Sequence, residues 1–214
     1  AFFRDLGVAE DDWMPACNAT YKNGISFHGW SKRPGYESYF HPFASPIDAH
    51  TAPGFHFNSF HRRRGADLAA APDRFFLSAT LAKRRLAPLP ARNFPFDIAY
   101  GYHFDAYLVG AFLRRHAEGR GVRGVEGRVG EITLDADGSI ASLMLDGERV
   151  VAGDFFVDAT GFRSLILQER FGVPFHSYKE NLFNDSAVVM PTPPDPAGLG
   201  SATRAIAMNA GWRW

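Results

Sequence analysis

Lys22 is the residue of this chain best placed to do chemistry. It lies in Asn18-Ala19-Thr20-Tyr21-Lys22-Asn23-Gly24-Ile25-Ser26-Phe27-His28-Gly29-Trp30. The stretch alternates as an extended strand from Ala19 to Trp30 would. Tyr21, Ile25 and Phe27 fall on one face, and Lys22, Gly24, Ser26, His28 and Trp30 on the other. The apolar face suits a core. The polar face offers one compact amine near a residue without a side chain, so a small molecule could come close to it. The alternative is an ordinary solvated lysine on a half-buried strand, because lysines are mostly exposed.

A second candidate is Ser38-Tyr39-Phe40-His41-Pro42-Phe43. The residue before a proline is pushed toward an extended conformation, which would hold His41 and Phe43 out along a rigid strand end. Both could serve as aromatic walls for a flat ring, or as ordinary packing. The histidines 28, 41, 50, 56 and 61 crowd one region, but their spacings match no zinc motif, and Cys17 has no second cysteine to join it. Arg62-Arg63-Arg64 could grip a phosphate, with a solvated basic patch the simpler reading.

The elements that must position these residues follow from pattern. Phe2, Phe3 and Leu6 give residues 1–16 a short amphipathic start before Gly7. Ser31 to Gly65, punctuated by Pro34-Gly35, Ser45-Pro46 and Pro53-Gly54, predicts loops with short strands. A helix begins at Pro72-Asp73, with Phe76, Leu77, Leu81 and Leu86 on its apolar side, and stops before Pro88. Another runs from about Phe104 to Ala117 on Phe104, Leu108, Ala111 and Phe112. Three strands follow: Val129–Leu134, Ser139–Leu145 and Glu148–Ala152, with turns at Asp135–Gly138 and Asp146-Gly147. This meander leads to Asp154-Phe155-Phe156-Val157-Asp158, which reads as a buried parallel strand. Its continuation, Asp158-Ala159-Thr160-Gly161, precedes a helix opened by Leu165, Ile166 and Leu167, a natural resting place for a dinucleotide. A Pro-rich loop at 191–196 precedes Ile206 to Trp214.

Composition narrows the classes. With 23 basic and 23 acidic residues there is no net field to draw nucleic acid or an anionic membrane. No apolar run approaches the length of a membrane span. The single Cys17 allows no intrachain disulfide and fits a reducing cytoplasm. Twenty phenylalanines suit a core or pocket built on aromatic surface.

Several motifs together resemble the flavin-dependent tryptophan halogenases. They are Leu6-Gly7-Val8-Ala9-Glu10, Trp13-Met14, Asn18-Ala19-Thr20-Tyr21-Lys22, Gly24-Ile25-Ser26-Phe27 with Trp30, His103-Phe104-Asp105-Ala106, and Gly211-Trp212-Arg213-Trp214. Trp212 and Trp214 match the two tryptophans of the family's Trp-x-Trp-x-Ile-Pro signature. The resemblance implies an α/β fold of the FAD-binding, glutathione-reductase-like type shared with aromatic hydroxylases, with a mixed substrate sheet. It implies Lys22 as the catalytic residue and His41 and Phe43 as walls of an indole pocket. Val125 would touch the adenine through its backbone, and Asp158, Thr160 and Gly161 would face the cofactor. Residues 1–98 would form a substrate-side segment, 99–172 the helix, meander and FAD-domain strand, and 173–214 the start of a second substrate-side segment.

The activity implied is halogenation of an electron-rich ring, tryptophan or another indole. Reduced FAD would come from a separate flavin reductase and react with oxygen, a halide ion would thereby be oxidised to hypohalous acid, and Lys22 would hold the halogen for delivery. An oriented oxidant is what the chemistry needs, because free hypohalite reacts indiscriminately. The rivals are an aromatic hydroxylase of the same fold and a non-catalytic flavin-binding relic. The chain starts without a methionine and stops in mid-pattern, and Gly-x-Gly-x-x-Gly and Ile-Pro are not in it. It is therefore expected to be an internal piece, truncated at both ends, that alone neither holds FAD tightly nor halogenates.

Overall fold

The computed structural model describes residues 2–193 and 195–214. Ala1 and Pro194, the latter inside the expected Pro-rich loop, lie outside the described residues. The chain divides into two compact units, residues 1–117 with 189–214, and residues 118–188.

The first unit is built on Trp13. Helix α1 (Phe2–Asp5) leads into α2 (Glu10–Ala16), whose first turn carries Glu10, Asp11 and Asp12, the sign a helix N-terminus favours. Trp13 and Cys17 are fully buried, with Val8 and Met14 beside them and Tyr21, Tyr102, Val109 and Phe112 packed around. The Trp13 ring stacks on Phe3 at 4.0 Å and meets Tyr102 edge-on at 4.8 Å. The exit from α2 is a Schellman turn: Asn18 is left-handed at φ 49°, and the Ala19 N–H reaches back to Met14 O at 2.8 Å. That turn aims the chain into β1 (Thr20–Lys22).

The expected single strand from Ala19 to Trp30 is two strands in two sheets. β1 pairs antiparallel with β4 (Gly101–His103). The chain breaks at Asn23, which is fully buried; its N–H donates to Ser201 O at 2.7 Å and its Nδ2 to Leu86 O and Ser201 Oγ. After it, β2 (Gly24–His28) joins a four-stranded sheet in the order β3-β2-β8-β9, where β3 is Ser38–Pro42, β8 Thr203–Met208 and β9 Gly211–Arg213. The β2–β8 pair is parallel and the other two pairs are antiparallel. A buried amide with partners in two distant segments can hold a kink that local pattern does not reveal.

Ser31–Gly65 holds β3 and, against expectation, helix α3 (Ala52–Arg62). Pro53 stands in its first turn, where a missing N–H costs nothing, so it does not break the helix. Phe55 of α3 packs edge-on against Phe75 and Phe76. The helix expected from Pro72 is a short 3₁₀ turn followed by α4 (Leu77–Lys83), and Leu86 is exposed beyond it. Helix α5 (Ala106–Glu118) starts at Asp105, whose Oδ1 accepts the N–H of Tyr107 and Leu108. Its inner side is Val109, Phe112, Leu113 and His116. The period is the expected one, shifted by one residue from Leu108 and Ala111, which are exposed.

The second unit is the expected meander: β5 (Val129–Leu134), β6 (Ile140–Leu145) and β7 (Arg149–Ala152), paired antiparallel in that order. Asp146 and Gly147 both take positive φ, as a tight hairpin turn demands. Asp154–Asp158 corrects the sequence reading. It forms no strand; Phe155 and Val157 are 84% and 79% exposed. A strand exists only where a neighbour takes its backbone groups, and among the described residues none lies beside this one. The helix expected after Gly161 is a 3₁₀ turn and a six-residue π-helical turn, Leu165–Arg170, tied to β5 by Arg170 Nε donating to Ile132 O at 2.9 Å.

Candidate functional site

The β1–β4 ribbon has two faces. Its register sets Thr20 opposite His103, Tyr21 opposite Tyr102 and Lys22 opposite Gly101. Alternation then places Tyr21 and Tyr102 on the face toward Trp13, and Lys22, Gly101 and His103 on the other. A Cβ on Gly101 would stand 4.0 Å from the Lys22 Cβ and Cδ and 3.6 Å from the Phe43 ring. The lysine stem therefore lies over bare backbone, and its Nζ sits 6.0 Å from the Phe43 ring centroid, at the outer reach of a cation–π contact.

Gly101, not Gly24, is the bare residue that serves Lys22. A Cβ on Gly24 would fall 2.5 Å from both His41 O and the Phe40 ring. Gly24 is thus required for β3 to approach, and no ligand enters there. Sequence reading missed Gly101 because its relation to Lys22 exists only through strand register.

His103 is the other residue the fold adds. Its Nε2 lies 2.8 Å from Thr203 Oγ1 on β8. Burial, and after it the charge of Lys22, holds the imidazole below its ordinary value. Thr203 pairs with Ile25, and Ile25 pairs with His41, so these three share one face of the four-stranded sheet. His41 itself is exposed. Phe43 leads into a loop fixed by buried Asp48, whose carboxylate accepts the N–H of Ser45 at 2.7 Å and of Leu77 at 2.8 Å. Lys22 and Phe43 thus come together, while His41 shares the face of Ile25 and Thr203 on the four-stranded sheet.

The remaining expected residues stand elsewhere. Trp212 lies on β9 against Trp30 at 5.9 Å, with Trp214 edge-on to it at 6.1 Å. Trp30 is anchored by Nε1 donating to Ala205 O. Val125, Asp158, Thr160 and Gly161 belong to the second unit. Val125 is partly exposed on irregular chain before β5. Asp158 closes its own turn: Oδ1 accepts Thr160 N and Oγ1 at 3.0 and 2.5 Å, and Oδ2 accepts Ile166 N at 3.0 Å. The Thr160 hydroxyl, then its N–H, holds the Asp158 carboxyl below its ordinary value.

Arg62 donates to Tyr36 Oη and Leu68 O and lies over the Tyr36 ring. Arg64 covers Phe60. These two guanidiniums are engaged locally rather than gathered as a phosphate grip. Among the described residues no three His, Cys, Asp or Glu side chains gather as a metal would require, and no helix is long and apolar enough to cross a membrane.

The sequence model of the tryptophan halogenase family matches residues 1–214. The chain is similar to tryptophan 6-halogenase SttH of Streptomyces toxytricini, 35% identical over all of this chain and 44% of that protein. It is also similar to tryptophan 7-halogenase RebH of Lentzea aerocolonigenes, 37% identical over all of this chain and 43% of that protein. Among solved structures, the flavin-dependent halogenase BrvH from Brevundimonas sp. BAL3 superposes with a TM-score of 0.79 at 32% identity, covering 99% of this chain and 43% of that one. The chain spans less than half the length of these relatives. The expected mixed α/β fold with its multi-stranded substrate sheet is the fold of these structures, and the chain belongs to the tryptophan halogenase family.

Proposed function

We propose that the whole protein carries out flavin-dependent halogenation of an electron-rich ring, tryptophan or another indole, with Lys22 as the amine that holds the oxidised halogen. One observation carries this reading: Lys22 stands on the front of the ribbon, its stem over bare Gly101 and its amine beside Phe43. The ammonium can donate a hydrogen bond to hypohalous acid and polarise its halogen–oxygen bond. The ring then takes the halogen and releases its proton, and water is the co-product. Phe43 and His41 would offer ring surface to the indole, worth about 0.5–1.5 kcal/mol for a stacked pair beyond area burial.

Bound FAD, delivered reduced by a separate flavin reductase, would together with molecular oxygen supply the oxidising power for the halide. The Asp158–Gly161 turn fits a close backbone approach, because Gly161 has φ +67° and open space around it. Asp158 takes the Thr160 N–H of this turn and the Ile166 N–H beyond it. Val125, through its backbone, and Asp158, Thr160 and Gly161 are proposed to face the cofactor, with Trp212 and Trp214 as family signature residues. Residues 1–98 are proposed as substrate-side, 99–172 as the segment of helix, meander and FAD-domain stretch, and 173–214 as the start of a second substrate-side segment.

The test is to supply the whole protein with reduced FAD, oxygen, halide and tryptophan or indole, and to weigh the product by mass spectrometry. A halogenated ring is expected, and a hydroxylated ring would replace this reading with a hydroxylase. Joint His41→Ala and Phe43→Ala should weaken substrate affinity; unchanged affinity for every indole tried would remove both from the pocket.

A further inference from the structure

We infer that Glu10 is a positioning residue for Lys22, acting from the opposite face of the β1–β4 ribbon. The inference rests on the function proposed above. Three phenols donate to this one carboxylate. Tyr21 Oη reaches Oε2 at 2.6 Å, and Tyr100 and Tyr102 reach Oε1 at 2.6 and 2.5 Å. Tyr21 is the neighbour of Lys22 on β1. Tyr100 and Tyr102 flank Gly101, the residue opposite Lys22. Glu10 therefore grips both strands immediately behind the reacting amine.

The ribbon needs such a grip. It has three residue pairs, and a two-stranded pairing of that length does not hold itself. A slip of one residue would turn Lys22 to the back. The carboxylate blocks the slip because one oxygen serves β1 and the other serves the two tyrosines of the β4 side. The grip is itself anchored, since Glu10 opens α2 and Trp13, one turn on, is fully buried against Tyr102. Tyr21 and Tyr102 also pack on the Trp13 core, while Glu10, Tyr100 and Tyr102 border a cavity of ≈ 1060 Å³. Burial and the neighbouring carboxylate push all three phenols up, so they remain protonated donors at neutral pH.

The experiment uses the whole protein with Glu10→Ala, Glu10→Gln and, separately, Tyr21→Phe and Tyr100→Phe, the last two removing one hydrogen bond each should the alanine variant fail to fold. Two readouts are taken on folded protein. The first is the kcat and KM of halogenation, with a soluble halogen acceptor present to intercept oxidant that escapes. The second is the rate at which a small acylating reagent labels the Lys22 amine, followed by mass spectrometry.

Glu10→Ala should lower kcat roughly tenfold with KM nearly unchanged, the signature of a group acting on the chemical step. It should also divert halogen to the acceptor and change the Lys22 labelling rate several-fold. Glu10→Gln should rescue part of this, because its oxygen can accept from two phenols while its amide donates to the third. Folded variants with wild-type kcat and unchanged Lys22 labelling would overturn the inference. So would activity that falls only in proportion to folded protein while labelling stays constant, which is a structural role. A wild-type protein that makes no halogenated product would defeat the proposed function, and the labelling comparison would still decide the role of Glu10.

Discussion

Thr20–His28 and Asp154–Asp158 both read as strands that deliver a functional residue, and they fold differently. The first is paired along its length: β4 covers β1, and β3 and β8 flank β2 on both sides. The second has no strand beside it among the described residues, and its Phe155 and Val157 stand in solvent. Both are rich in residues that suit a pleated surface, so propensity does not separate them. Partners do. The partner strands of Lys22 and its neighbours come from near residues 40, 102 and 205, and the kink between them is held by a buried amide. Presentation of the amine is therefore a property of long-range pairing, which is where it can be broken.

The heaviest blow to the paired region is Trp13→Ala. A fully buried tryptophan at the centre of the core should cost about 3–5 kcal/mol in denaturant unfolding. A loss below about 1 kcal/mol would mean that the ribbon does not lean on this core.

Gly24→Ala comes next, at about 1–3 kcal/mol, because its methyl would collide with His41 O and the Phe40 ring. Gly101→Ala sharpens the comparison. Its methyl meets only ordinary contacts, so stability should move by less than about 1 kcal/mol while halogenation falls, since the methyl lies on the lysine stem. Equal destabilisation by both would erase the distinction between a packing glycine and a site glycine.

Acid should loosen the ribbon through Glu10. Burial raises its carboxyl, and the three phenol hydrogen bonds more than offset that, leaving it below its ordinary value of 4.5. A carboxyl lowered in the folded state binds fewer protons there than when unfolded. Its stabilisation is present above pH 4.5 and fades as pH falls through the folded value. Urea unfolding against pH should show a steeper acid limb for wild type than for Glu10→Gln; identical limbs would contradict this. The mildest change is Val157→Ser in the unpaired segment, expected within about 0.5 kcal/mol of wild type. A larger loss would mean that this segment is packed after all.

Part of this architecture is legible in the sequence. The meander is, because alternation and Asp-Gly turns are local signals. The period of α5 is also legible, though its phase is off by one residue, since Leu108 and Val109 are equally apolar and only the core decides between them. Helix α3 hides behind Pro53-Gly54, which punctuates a loop and opens a helix equally well. Lys22 and Phe43 are found from their own neighbourhoods. Gly101, His103 and Glu10 are not, because each acquires its meaning from a residue brought alongside by strand register or by a helix that precedes the strand.

The central claim is that this ribbon presents Lys22 as the amine that orients the halogen. Single-turnover reaction of the whole protein carrying Lys22→Met tests it most directly, with reduced FAD, oxygen, halide and tryptophan or indole. Methionine keeps much of the stem and removes the amine, so packing should change little. Flavin absorbance and halogenated product are followed together. Flavin reoxidation at the wild-type rate with no halogenated product is expected. Product at the wild-type rate, or loss of the flavin reaction itself, would contradict the claim.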